Sequence, residues 1–99
     1  MTDSTVDAAV GTLKRALGIT NKRGLHARAA AKFVRTASQF DSIVRVSFKG
    51  QDVSGLSIMG LMMLAAGLGS EIELVCSGRQ ASAAMAALSA LVEGKFGED

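Results

Sequence analysis

The order of apolar patterns along this 99-residue chain is the feature that most restricts its fold. Apolar and polar residues alternate in four short segments, which indicates strands, and apolar residues recur every three or four positions in three others, which indicates helices. The segments run as strand, helix, strand, strand, helix, strand and helix: 13–20, 27–39, 43–48, 51–53, a short helix from Ser57, 71–77 and 80–92. Three helices cannot cover both faces of so small a sheet, so we predict a two-layer α+β sandwich with all helices on one face.

The length of the chain predicts a single domain. Residues 1–12 are small, polar and aperiodic, and we interpret them as a flexible N-terminal tail before one domain over 13–99. Neither a secretory signal nor an apolar run of about 20 residues is present in the sequence, so we expect a cytoplasmic protein without membrane insertion. The single cysteine, Cys76, agrees with a reducing compartment.

Charge is unevenly distributed although the formal net charge is only +2. Seven lysines and arginines and no acidic residue lie between Ala8 and Phe40. Such a basic half favours an acidic partner or a phosphorylated substrate. A third possibility, an RNA-binding domain, is disfavoured because the predicted strands lack the aromatic residues on which bases stack. We therefore expect no nucleic-acid partner.

The only histidine, His26, follows a loop over 21–25 and falls where the first helix should begin. A helix start leaves backbone N–H groups without intrahelical partners and carries a partial positive charge, so it favours phosphate. A neutral imidazole is a nucleophile, and its phosphoramidate can pass the phosphoryl group onward. Arg28, two residues later, has the charge and fork geometry to contact phosphoryl oxygens. The alternative is that His26 is a surface residue without chemistry, as most lone histidines are.

Other kinds of site find little support in the sequence. A metal site would need companions that His26 and Cys76 lack, so we expect no metal. No hydrolytic triad signature and no nucleotide-binding loop is present in the sequence, so we expect no cofactor and no catalytic turnover. If His26 acts on phosphate, the energy must come from another protein.

Two features of the second predicted helix, its first residue and its apolar stripe, can each be structural or functional. Ser57 is a favoured N-cap residue, and capping alone would explain it. An apolar stripe at helical spacing is usually core. The four residues of this stripe cannot all point inward from so short a helix, so we expect some of them at the surface: Ile58, Met59, Met62 and Met63.

Two runs together resemble the HPr family, the histidine-containing phosphocarriers of the phosphoenolpyruvate-dependent phosphotransferase system. They are Gly24-Leu25-His26-Ala27-Arg28 and Ser57-Ile58-Met59-Gly60-Leu61-Met62, and the similarity extends over about 13–92. The resemblance implies an open-faced sandwich with a four-stranded antiparallel sheet. It also implies that His26 accepts a phosphoryl group on Nδ1 from phosphorylated enzyme I and delivers it to an enzyme IIA domain, with Arg28 beside the phosphohistidine.

The resemblance also assigns residues around the histidine. Ala27, Arg28 and Ala29 would contact the phosphate. Ala29 stands where the family usually has proline, and the absence of proline should loosen the helix start slightly. Ser57 matches the serine that an HPr kinase/phosphorylase modifies in some members. Partner docking is assigned to a patch on two helices: Ala31, Arg35, Ile58, Met59 and Met62.

The branch of the system remains open at this point. Two segments resemble the nitrogen-branch relatives called NPr: Ile19-Thr20-Asn21-Lys22 and the ending Gly94-Lys95-Phe96-Gly97-Glu98-Asp99. The alternative function is therefore a regulatory docking module whose phosphorylation state, on His26 or Ser57, controls other proteins. We expect a monomer in either case.

Overall fold

The computed structural model describes residues 12–98, and its elements follow the predicted order. Strands β1 to β4 span Thr12–Gly18, Ile43–Phe48, Gln51–Ser54 and Glu71–Ser77. Helices α1 to α3 span Ala27–Ala37, Ile58–Met63 and Ala81–Glu93, and a 3₁₀ turn over Lys95–Gly97 follows. Of the predicted tail, residues 1–11 lie outside the described residues, and Thr12 belongs to β1.

The four strands form one sheet in the order β1-β4-β2-β3, with every neighbouring pair antiparallel. In this register Leu17 pairs with Ile72, and Val46 pairs with Leu74, so their side chains share one face. That face is buried, whereas Glu71 and other polar residues of the same strands face solvent. The α+β fold with an open sheet face is confirmed, and the strand order is the part that the apolar pattern did not specify.

The helices cover the buried face of the sheet with apolar side chains. Phe33 of α1 and Leu88 of α3 are completely buried, and the six-residue helix α2 contributes Leu61. Within residues 12–98 no helix has the length and apolar character needed to cross a membrane. Cys76 lies in this core, where burial raises the pKa of its thiol to about 11, so the thiol stays neutral.

A left-handed turn follows α3, and the apolar pattern did not predict it. Lys95, Phe96 and Gly97 all have positive φ values, of 59°, 56° and 77°. Within this turn the Phe96 ring is completely buried, and the Phe96 carbonyl accepts a hydrogen bond from Lys32 Nζ of α1 at 2.7 Å. We call residues 95–98 the C-terminal hook. It holds Glu98 beside the first turn of α1.

Candidate functional site

A tight loop between β1 and α1 positions the histidine. Gly24 has a φ of +63°, and a Cβ atom there would lie 2.4 Å from the Ala66 carbonyl oxygen, so both the conformation and the space require glycine. Leu25 donates its N–H to the same Ala66 oxygen at 3.0 Å. The residues after α2 thus support the loop from which His26 enters α1.

His26 is the N-cap residue of α1, as the loop prediction requires. Its backbone is extended, with φ of −75° and ψ of 178°, and its carbonyl accepts the first intrahelical bond from Ala30 at 2.9 Å. The imidazole makes no capping hydrogen bond, and its side chain is 17% exposed. The N–H groups of a first helical turn have no intrahelical partner, and here the side chain of the N-cap residue does not bind them either. They lie next to an imidazole that is partly exposed to solvent.

An open cleft of about 360 Å³ lies between the loop before α1, the first turns of α1 and the C-terminal hook. Four basic side chains and two residues of the C-terminal hook line it: Lys22, Arg23, Arg28, Lys32, Gly97 and Glu98. Of the residues predicted to contact phosphate, Ala27 and Arg28 are exposed, whereas Ala29 is completely buried. The helix start at Ala27 and Arg28, together with the cations that line the cleft, makes the cleft suitable for an anion.

Glu98 is the residue of this site that sequence reasoning missed. One carboxylate oxygen lies 2.5 Å from His26 Nε2, and the other accepts a hydrogen bond from Asn21 Nδ2 at 3.0 Å. The pKa of Glu98 is lowered below its usual range. The largest cause is the hydrogen bond from Asn21, and the contact with His26 and the charge of Lys32 add smaller effects. One signal could have indicated that the ending packs against the domain: Phe96 is apolar and large, and it is completely buried.

Acidic and metal-binding residues do not cluster further around this pair. Within the described range, 12–98, no group of three His, Cys, Asp or Glu side chains is placed to hold a metal ion. Glu98 is held by its hydrogen bond with His26 and by a second hydrogen bond from the side-chain amide of Asn21.

Ser57 is the N-cap of α2, as its residue type suggested. Its Oγ accepts the N–H of Gly60 at 2.9 Å, and a Cβ atom on Gly60 would approach that oxygen to 3.0 Å. The short helix thus depends on this cap for one of its free donors.

We expect Ser57→Ala to lower the free energy of unfolding by about 1 kcal/mol, because the Gly60 N–H loses its acceptor. Urea denaturation followed by circular dichroism measures the change. Ser82→Ala is the matched control, since Ser82 is an exposed residue of α3 and should have almost no effect. Equal stability of the two variants would contradict the role of the cap.

The four apolar stripe residues of α2 lie at the surface and not in the core. Ile58, Met59, Met62 and Met63 are 42%, 68%, 40% and 70% exposed, so only Leu61 of this helix enters the core. We call these four exposed residues the α2 patch. Helix α2 packs on α1, where the predicted docking residues Ala31 and Arg35 are half-buried and exposed. Four exposed apolar side chains therefore lie together on the helix that packs against α1.

A family model described as the PTS HPr component phosphorylation site matches residues 13–94. The chain belongs to the HPr family. Phosphocarrier protein HPr of Neisseria meningitidis serogroup A is 55% identical over 86 residues, which cover 87% of this chain and 97% of that relative. Phosphocarrier protein NPr of Shewanella violacea is 44% identical over 86 residues, covering 87% of this chain and 94% of the relative.

The fold agrees with this assignment. The crystal structure of HPr-C-His from Thermoanaerobacter tengcongensis superimposes with a TM-score of 0.84 at 42% identity, covering 88% of this chain and 98% of that one. As an HPr family member, this chain is a phosphocarrier component of the phosphotransferase system and not a catalytic enzyme.

Proposed function

We propose that His26 is the phosphoryl acceptor, taking the group on Nδ1 from phosphorylated enzyme I and passing it to an enzyme IIA domain. The observation that carries the proposal is the position of the ring: His26 is the N-cap of an eleven-residue helix, inside the region matched by a phosphorylation-site family model. Three exposed cations of the nearby cleft, Lys22, Arg23 and Arg28, add to this support.

The transfer needs no proton to move at the attacking nitrogen. The Nδ1 lone pair forms the N–P bond while the bond between phosphorus and the donor breaks, and the donor keeps the bonding electron pair. Arg28 and the free N–H groups of the first turn of α1 then stabilise the phosphoryl oxygens. The helix dipole contributes about 0.3–1 kcal/mol, so it adjusts the stability of the phosphoramidate but does not drive its formation.

Arg28→Ala should slow phosphoryl transfer about 10- to 100-fold, because hydrogen bonds to charged groups are worth about 1.5–3 kcal/mol. Quenched-flow measurement of loading by enzyme I gives the rate. Arg79→Ala is the control: Arg79 is an exposed arginine that pairs with Asp41 at 3.0 Å, beyond the opposite end of α1. Equal rates for the two variants would remove Arg28 from the phosphate site.

We further propose that the α2 patch, with Ala31 and Arg35, is the docking surface for enzyme I and for the acceptor domain in turn. The patch is apolar at its centre, and Arg35 adds positive charge. This combination fits a partner whose face is apolar with acidic residues at its rim.

The proposed function involves no nucleic acid, and we propose that the protein acts in the cytoplasm as a monomer.

Met59→Glu should reduce the second-order rate constant for loading about tenfold or more, since it places a charge at the centre of the apolar interface. The Met59 side chain is 68% exposed, so the fold should remain intact. Ile43→Glu is the matched control because Ile43 is 66% exposed at the start of β2. Normal loading of Met59→Glu would contradict the docking assignment.

A second candidate function is regulatory docking, in which phosphorylation signals to other proteins. Ser57 favours this candidate because it lies at the start of the helix that carries the α2 patch. A phosphate added at an N-cap is compatible with the helix and would change the charge presented to partners. An HPr kinase/phosphorylase would add it, and a nitrogen-branch enzyme IIA would be the acceptor served by His26.

Reconstitution tests the proposed function. The protein is incubated with phosphoenolpyruvate, Mg²⁺ and enzyme I, and then with a sugar-branch or a nitrogen-branch enzyme IIA in separate reactions. We expect a phosphate that is acid-labile and alkali-stable and that leaves when an acceptor domain is added. Absence of labelling, or a label with the acid stability of a serine ester, would overturn the carrier assignment. The faster acceptor identifies the branch.

A further inference from the structure

The hook carboxylate lies on the side of the His26 ring opposite the nitrogen that would be phosphorylated. Glu98 Oε2 is 2.5 Å from Nε2, so the contact leaves Nδ1 free. The carboxylate side chain is only 19% exposed and the imidazole 17%, which shields their hydrogen bond from competing water.

The orientation of the carboxylate is fixed by a buried amide. Asn21 is completely buried, and its Nδ2 donates to the Gly24 carbonyl at 2.9 Å and to Glu98 Oε1 at 3.0 Å. Both partners are acceptors, so only the nitrogen of the amide fits there. Asn21 therefore ties the carboxylate to the loop that carries His26.

The hook itself is anchored independently of the histidine. The Phe96 ring is completely buried, and the Phe96 carbonyl accepts a hydrogen bond from Lys32 on α1 at 2.7 Å. Only Gly97 separates Phe96 from Glu98, so little freedom remains in the placement of the carboxylate. The geometry resembles the way a buried acid orients a catalytic histidine in hydrolases.

We propose that Glu98 is a positioning residue that holds the proton of His26 on Nε2, directs the Nδ1 lone pair towards the phosphoryl donor, and stabilises the charged ring that forms. An ionised carboxylate only accepts hydrogen bonds, so Nε2 must donate. When Nδ1 attacks phosphorus, the N–P bond forms, the donor leaves with its electron pair, and the ring becomes positively charged with its Nε2 proton retained. The negative charge of Glu98 then faces the ring charge directly.

The inference rests on the proposed function of His26, and its test separates the two. Imidazole ¹H–¹⁵N correlation spectra report the protonation of Nε2 and its protection from solvent exchange without any transfer reaction. We expect the wild type to show one tautomer, with a protected Nε2 proton, and Glu98→Ala to lose the protection. Glu98→Gln keeps an acceptor without the charge, so it should retain the tautomer.

Loading by phosphorylated enzyme I provides the second readout. The maximal loading rate should fall about tenfold in Glu98→Ala and by less in Glu98→Gln, while the concentration for half-maximal loading stays constant. Glu93→Gln is the matched control, since Glu93 is a more exposed glutamate that pairs with Arg15 at 2.9 Å. Its ring spectrum and loading rate should equal those of the wild type.

Two results would overturn the inference while leaving the carrier function intact. One is normal loading of Glu98→Ala, or an unchanged ring spectrum. The other is faster loading of Glu98→Ala, which would mean that the carboxylate repels the incoming phosphoryl group. Failure of the wild type to be phosphorylated would instead overturn the proposed function, and the ring spectra would still decide whether Glu98 holds the Nε2 proton.

Discussion

Substitution of His26 by alanine should abolish phosphorylation by phosphoenolpyruvate and enzyme I. His26 is the only histidine of the chain, and within residues 12–98 it occupies the N-cap of α1. No hydroxyl can replace it, because a phosphoserine is an ester of low transfer potential whereas the phosphoramidate is reactive. We expect incorporation of labelled phosphate to fall to background.

The variant also needs to be shown to fold. The imidazole makes no capping bond and leaves the core around Phe33 and Leu88 unchanged, so amide spectra should show shifts confined to α1, the loop before it and the C-terminal hook. Arg79→Ala alters an exposed ion pair at the opposite end of α1, and it is the control that should incorporate labelled phosphate like the wild type. Undiminished labelling of a folded His26→Ala protein would place the phosphoryl group elsewhere.

Phe96→Ala should be the most destabilising of the substitutions considered for this chain. The ring is completely buried between α1 and the end of α3, and truncation of a buried phenylalanine costs about 3–5 kcal/mol. We expect a loss of about 3 kcal/mol in the free energy of unfolding, at the low end because the hook can partly relax. Urea denaturation measures it.

The local consequence of Phe96→Ala separates anchoring from general instability. Detachment of the hook should remove the protection of the His26 Nε2 proton even under conditions where the protein is folded. Phe48→Ala is the control, because Phe48 is a half-buried residue of the β2–β3 hairpin and should cost less without changing the imidazole spectrum. A loss below about 1 kcal/mol for Phe96→Ala would contradict the anchoring role.

Most of the fold could be predicted because each element has a clear apolar period. The alternation in 43–48 and 71–77 matched β2 and β4 residue for residue, since each strand buries one face and exposes the other. Helix α1 ended at Ala37, two residues before the predicted end at Gln39, because helix ends depend on local capping more than on apolar spacing. The strand order β1-β4-β2-β3 was beyond the apolar pattern, which says nothing about which strands pair.

The candidate site could be predicted only where it is local in sequence. His26 and its helix start lie within one loop-helix unit, and Ser57 within another, so residue types and spacing were sufficient. The contact between His26 and Glu98 joins residues 72 positions apart and depends on three successive left-handed residues in the hook. Lysine and phenylalanine rarely adopt that conformation, so the local sequence did not predict the turn, and Phe96 could indicate only that the ending packs against the domain.

NMR of the phosphorylated wild-type protein tests most directly whether His26 carries the phosphoryl group on Nδ1. A ¹⁵N-labelled sample is phosphorylated by enzyme I, and the imidazole nitrogens are examined for one-bond coupling to ³¹P. We predict coupling at Nδ1 of His26, with Nε2 still bearing its proton. Coupling at Nε2, or a phosphorus signal on any residue other than His26, would contradict the account.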